Sequence, residues 1–171
     1  MDESACYLLP MLGLTWAPCG QTPVLQQQAG RAHLNLIAAI APNGRIYVAG
    51  QNRPFCNEDI AWFLEKLCSR YRKKDLLIIW DNASIHSGDA IRALLKDRPG
   101  RLHLERLPAY SPELNPTELV WSYLKQSLKN RVFLSLNDLT IAVLDQIRLV
   151  ESDPKLIQAF FHKKEIGFIT S

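Results

Sequence analysis

Leu76-Leu77-Ile78-Ile79-Trp80-Asp81-Asn82-Ala83-Ser84-Ile85-His86 is the stretch that decides the fold. Five apolar residues in a row have the length of a strand, and such a run is the pattern of a central strand covered on both faces. The run ends on a carboxylate, and in open α/β sheets ligands collect beyond the carboxyl ends of the strands. Asp81 is then either a ligand for a hard cation, presented on a rigid element, or a cap for the turn that follows. His86 has the same two readings, as support for a site or as a structural residue of a turn.

Upstream of this run, residues 57–71 repeat Ile60, Phe63, Leu64, Leu67 and Tyr71 at helical spacing. Asn57 is the expected cap, with Glu58 and Asp59 in the first turn. Earlier still, His33–Ala41 and Arg45–Ala49 flank Pro42-Asn43-Gly44, a hairpin signal because Asn and Gly both tolerate positive φ. Residues 14–30, rich in Gly, Pro and Gln, read as an irregular or edge-strand connection.

Downstream, a short helix over about 87–97 and a strand over about 102–107 are expected. The turn-rich stretch Pro108–Pro116 leads into another helix, with Asn115 as cap and Pro116 at its first position. Two more helices follow at about 138–150 and 154–163, each opened by a capping Asn or Asp and the second also by Pro154. A hairpin followed by alternating helices and strands implies an α/β domain, a mixed central sheet with helices on both faces.

Glu118 stands three residues after Asn115, the spacing of a capping box in which the glutamate reaches back to the cap's N–H. On a helical wheel Glu118, Ser122, Lys125 and Lys129 share one face, opposite Val120, Tyr123, Leu124 and Leu128. A carboxylate followed by hydroxyl and ammonium groups suits a metal site beside a phosphate track, and a solvated face has the same appearance. Asp2, with Glu3 beside it, reads by composition as a frayed terminal acid. Trp16, Trp62, Trp80 and Trp121 are mostly core candidates.

At 171 residues the chain fits one domain over 1–171, with the helices after about 135 as a C-terminal extension. Hydrophobic residues make up 47% and charged ones 22%, the balance of a soluble globular protein. No apolar run approaches the roughly 20 residues of a membrane span, so no membrane partner is expected. Met1-Asp2-Glu3 lacks the basic and apolar regions of a secretory signal, which makes the cytosol the default. Cys6, Cys19, Cys56 and Cys68 form no CxxC pair, against a structural zinc site. The net charge of +3 is modest. Basic residues gather at Arg70–Lys74, at Arg92–Arg101, and at Lys125, Lys129 and Arg131; these suit a phosphate backbone and equally complement helix C-termini.

Two strings carry a family resemblance. Asp81-Asn82-Ala83-Ser84-Ile85-His86, and the run from Leu107-Pro108-Ala109-Tyr110-Ser111-Pro112 through Glu113-Leu114-Asn115-Pro116-Thr117-Glu118-Leu119-Val120-Trp121, resemble core signatures of DDE transposases. The likeness is to the bacterial insertion-sequence branch of the Tc/mariner superfamily. Asp2-Glu3-Ser4 and Thr15-Trp16-Ala17-Pro18-Cys19-Gly20-Gln21-Thr22-Pro23-Val24 resemble that branch's N-terminal signature, with Cys19 where a basic residue is usual. The matching stretches cover roughly residues 2–130, and the 36 residues 82–117 separate the second acid from the third, a spacing similar to the family's.

The resemblance implies a ribonuclease-H-like fold whose first strand is largely missing here, and a catalytic triad of Asp2, Asp81 and Glu118. It also implies two Mg²⁺ or Mn²⁺ ions about 4 Å apart across a scissile phosphate. Asn82, His86 and Asn115 would support the site, and Lys125, Lys129 and Arg131 would meet DNA. The expected partners are transposon ends and target DNA, with a homodimer left open, and the action is at the bacterial nucleoid. Cleavage and strand transfer at insertion-sequence ends is the expected function. The alternatives are an inactive fragment that associates with a full-length transposase, and a module that only binds nucleic acid. Whole family members carry helix-turn-helix segments ahead of the catalytic region, so such segments and most of the first strand are expected to be absent from this sequence.

Overall fold

Strand β2, His33–Ala41, is apolar on both of its faces and organises the molecule. Its even positions, Leu34, Leu36 and Ala38, enter one hydrophobic core, while Ile37 and Ala39 enter a second on the opposite side. The computed structural model describes residues 1–26, 30–162 and 166. β1, Asp2–Tyr7, pairs antiparallel with β2 from Asp2↔Ala38 to Tyr7↔His33, and β3, Arg45–Gln51, pairs antiparallel on its other edge. The β2–β3 turn closes with the Gly44 N–H donating to Ala41 O at 2.9 Å, at a Gly44 φ of 82°. Only glycine takes that conformation cheaply, and Pro154 lies against the site a Cβ would occupy. The hairpin is as expected. The first strand is longer than expected, because the ladder to β2 continues for five residues past Asp2.

The decisive run forms β4, Leu76–Trp80, which pairs in parallel with β5, Leu102–Arg106. Both antiparallel and parallel pairing are thus present, but in two sheets, β1–β3 and β4–β5, rather than in the one mixed sheet expected. The seam between them carries a backbone bond from the Met1 nitrogen to Ile79 O, 2.8 Å. β4 is not covered on both faces: Ile78 and Trp80 are buried, whereas Leu77 is 58% exposed. A continuous apolar run signals burial without saying which residue faces which layer.

Helix α1, Asn57–Arg70, joins the two sheets. Its Ile60, Phe63, Leu64 and Leu67 pack between Ile37 and Ala39 of β2 and Ile78 and Trp80 of β4. Helix α2, Asp89–Asp97, closes this side with Ile91. On the opposite face lie α3 (Thr117–Ser127), α4 (Leu136–Glu151) and α5 (Pro154–Ala159), whose Val120, Leu124, Leu139, Val143 and Ile157 meet Leu36, Ala38 and Ile46. The result is three layers, helices on both faces of the strands.

Several caps differ from expectation. Cys56, not Asn57, is the cap of α1, and the Asn57 amide instead accepts from Ala90 N–H in α2 at 2.9 Å. α4 starts earlier, at Leu136, because Ser135 caps it by accepting from Asp138 N–H at 3.1 Å. Asp153 caps α5 as expected, accepting from Leu156 N–H. That helix ends at Ala159, and residues 163–165, where the expected end falls, lie outside the described residues. Trp80 and Trp121 are core residues, but Trp16 and Trp62 are exposed, and so is Tyr123 on α3. Among the described residues no helix is long and apolar enough to cross a membrane.

Candidate metal centre

Three acids from three elements line one cavity of about 370 Å³: Asp2 at the start of β1, Asp81 just past β4, and Glu118 in the first turn of α3. Each is held differently. Asp2 is 6% exposed, and its Oδ2 accepts from the Trp121 indole Nε1–H at 2.9 Å. Burial pushes its carboxyl pKa up to about 7; the charge of Glu118 adds to the rise, and the Trp121 bond opposes it.

Asp81 is half exposed and locked on one side. Its Oδ1 accepts from Ala83 N–H at 3.0 Å, an Asx turn at the strand end, and lies 3.1 Å from His86 Nδ1. The same ring nitrogen is 3.2 Å from the Asp81 carbonyl oxygen. The capping reading of Asp81 is thus realised, through Oδ1 only. Glu118 is exposed at the N-terminal end of α3, where the helix dipole favours a negative charge. It does not form the expected capping box, because Asn115 N–H donates to Pro112 O at 3.0 Å. Asn115 instead accepts from Thr117 N–H with its own Oδ1 at 3.1 Å, and the helix starts one residue later than expected, at Thr117.

Of the residues expected to support the site, Asn82 donates from Nδ2 to Leu107 O at 2.9 Å and ties the end of β4 to the end of β5. Asn82 and buried Asn115 both line the cavity. His86 is buried and lies behind Asp81, its ring stacked on Trp80 with centroids 4.3 Å apart and planes 2° apart. Lys125, Lys129 and Arg131 do not reach the cavity; they follow Glu118 along α3 and just beyond it. Lys129 Nζ donates to Gln126 Oε1 at 2.7 Å, and the Arg131 guanidinium lies 5.1 Å from the Phe133 ring centre.

Sequence reasoning missed two groups here. Tyr110, fully exposed at the cavity's rim, holds a φ of 57° that is unfavourable for an aromatic residue. Glu3 was passed over beside Asp2, yet its two carboxylate oxygens each lie 3.1 Å from His86 Nε2. The signal was the strand alternation itself: consecutive acids in β1 face opposite sides of the sheet. Burial lowers and the carboxylates raise the His86 pKa, and the hydrogen bond and charge of Glu3 with those of Asp81 leave it above the ordinary value. Among the described residues, Glu3, Asp81 and His86 are the one group whose ligand atoms all lie within 4.8 Å of one another.

The donor set fits hard divalent cations, since the cavity acids offer only carboxylate oxygen. A buried carboxyl pushed toward neutrality by burial and a neighbouring acid is what a cation would return to its charged form.

A family model described as DDE superfamily endonuclease matches residues 1–140. The chain is 32% identical over 84 residues to the transposable element Tc3 transposase of Caenorhabditis elegans, covering 48% of this chain and 25% of that protein. It is 27% identical over 129 residues to the insertion element IS630 39 kDa protein of Shigella sonnei, covering 74% of this chain and 37% of that one. A pre-cleavage Mos1 transpososome superposes with a TM-score of 0.75 at 16% identity, over 99% of this chain and 52% of that one. The catalytic domain of Mos1 mariner transposase superposes at 0.64 with 13% identity, over 99% and 78%. These likenesses show the ribonuclease-H-like fold. The chain spans a quarter to a little over a third of the length of the curated relatives it matches.

Proposed function

The chain belongs to the DDE superfamily endonucleases, and from that premise we propose that it is a transposase catalytic domain that cleaves and joins DNA at insertion-sequence ends, with Asp2, Asp81 and Glu118 holding two Mg²⁺ or Mn²⁺ ions. The observation that carries this reading is the convergence of three acids from separate elements on one cavity, one buried, one half exposed and one exposed. Bound divalent cations supply an activated attacking oxygen and a stabilised leaving oxygen at a phosphodiester.

The chain's own residues set where that chemistry takes place. Trp121 fixes Asp2 at the cavity floor, and Ala83 and His86 hold Asp81 by Oδ1 so that Oδ2 is left for the cavity. Glu118, exposed and free of a capping role, lines the same cavity. Lys125 lies two turns beyond Glu118 on α3 and Lys129 in the turn that follows the helix, and both suit the DNA phosphates leading away. Water or a freed 3′-hydroxyl serves as the nucleophile, so no nucleophilic side chain is needed.

A second reading, association with another transposase chain, is favoured by Leu12, Leu14 and Trp16, which are 76%, 107% and 100% exposed. One assay separates the two. Mg²⁺- or Mn²⁺-dependent nicking of DNA carrying insertion-sequence ends is expected, and Asp81→Ala and Glu118→Ala abolish it, a fall of at least about a hundredfold each. Nicking that survives in both variants sinks the site. A folded, inactive chain that binds full-length transposase tightly supports the second reading.

A further inference from the structure

We propose that Glu3 and His86 form a strut that holds Asp81 as a one-oxygen metal ligand; the inference rests on the metal-site reading above. The His86 side chain has no solvent exposure and is stacked flat on Trp80, so packing fixes the plane of its ring. Within that plane each nitrogen faces an acid. Nε2 is 3.1 Å from both oxygens of Glu3, and Nδ1 is 3.1 Å from Asp81 Oδ1 and 3.2 Å from the Asp81 carbonyl.

The consequence falls on Asp81. Its Oδ1 is already engaged by His86 and by Ala83 N–H, which leaves Oδ2 as the oxygen without a protein partner among the described residues. A half-exposed carboxylate with no such anchor samples several rotamers and loses that freedom when it ligates an ion. Partners behind a metal ligand set its orientation in this way. Glu3 can act from behind because it follows Asp2 in β1. The two side chains leave opposite faces of the strand, Asp2 toward Trp121 and Glu3 toward His86. The strut also crosses the seam between the two sheets, so it fixes the distance between the element that carries Asp2 and the one that carries Asp81.

The test is Mn²⁺ binding to the whole chain without DNA, followed by electron paramagnetic resonance and calorimetry at fixed pH, with Asp81→Asn as reference. His86→Phe keeps the stack on Trp80 and removes both ring nitrogens, so it separates the strut from packing. In His86→Phe and Glu3→Ala we expect Mn²⁺ affinity to fall roughly tenfold or more, while Glu3→Gln, which retains an oxygen acceptor, recovers most of it. In nicking assays the Mn²⁺ midpoint should rise by the same factor, and the rate at saturating Mn²⁺ should return to within a few-fold of wild type. Native Mn²⁺ affinity in folded His86→Phe overturns the proposal. So does nitrogen coupling between His86 and bound Mn²⁺, which would make His86 a ligand. If Asp81→Asn binds Mn²⁺ like wild type, the metal-site reading itself fails; if only the strut variants are silent, the strut alone fails.

Discussion

The two halves of the molecule present their acids in opposite ways. On the β1–β3 side, Asp2 is buried in a strand that pairs along its whole length and is gripped by an indole from α3. On the β4–β5 side, Asp81 sits past the end of a short parallel pair, half exposed, and held by turn contacts and an imidazole. One half provides rigidity by burial, at the cost of a carboxyl that resists ionisation. The other provides an accessible group whose geometry depends on its neighbours. A centre that takes an acid from each half needs the halves fixed to one another, and α1 and the two faces of β2 do this by packing.

The largest expected effects test that packing. Leu124 belongs to the core beneath α3 and Leu64 to the core beneath α1, and both are 2% exposed or less. Leu124→Ala and Leu64→Ala should each cost about 2–5 kcal/mol, read by urea denaturation. Both should keep a single transition seen alike by circular dichroism and tryptophan fluorescence. Two transitions in Leu64→Ala would show that the halves unfold separately and that α1 does not join them.

The contrast between the acids gives the next effect. Asp2 has a folded pKa of about 7, above its unfolded value. Its stabilising contribution is therefore complete below pH 4 and is lost as pH rises through 7. Metal-free wild type should lose on the order of 3 kcal/mol relative to Asp2→Asn between pH 4 and pH 8, measured as thermal midpoints across that range. Mn²⁺ should reverse the loss in wild type and not in the variant, because binding requires the ionised carboxylate. Parallel pH profiles for the two proteins would remove the burial argument for Asp2.

Much of this was legible in local pattern. The apolar run of β4, the Asn-Gly hairpin and the helical spacing of α1 each depend on residues near one another, and each appears in the structure. Glu118 stood out through the string around it. What escaped reading are contacts between distant residues. Trp121 meets Asp2 across 119 positions and His86 meets Glu3 across 83, and no local period encodes either. Asn57 shows the same limit: its position before an amphipathic run suggests a cap for α1, yet its amide serves α2, 33 residues away.

That amide offers the finest test of how the Asp81 side is held. Asn57 Nδ2 donates to Ile85 O at 2.8 Å while its Oδ1 accepts from Ala90 N–H at 2.9 Å, so one side chain spans the turn that contains His86. Gly88 lies directly over it, and a Cβ at that position would fall inside the Asn57 amide. Its φ of −80° is open to any residue, so contact rather than backbone conformation demands glycine. Gly88→Ala should thus expel the amide and cost about 1–3 kcal/mol, as overpacking does. Asn57→Ala should cost about 1–2 kcal/mol through the lost bonds. The double variant should cost less than the sum by at least about 0.5 kcal/mol, because the first change already removes what the second deletes. Strict additivity would mean that Gly88 and Asn57 act independently, so that a Cβ at position 88 does not displace the amide that spans the His86 turn.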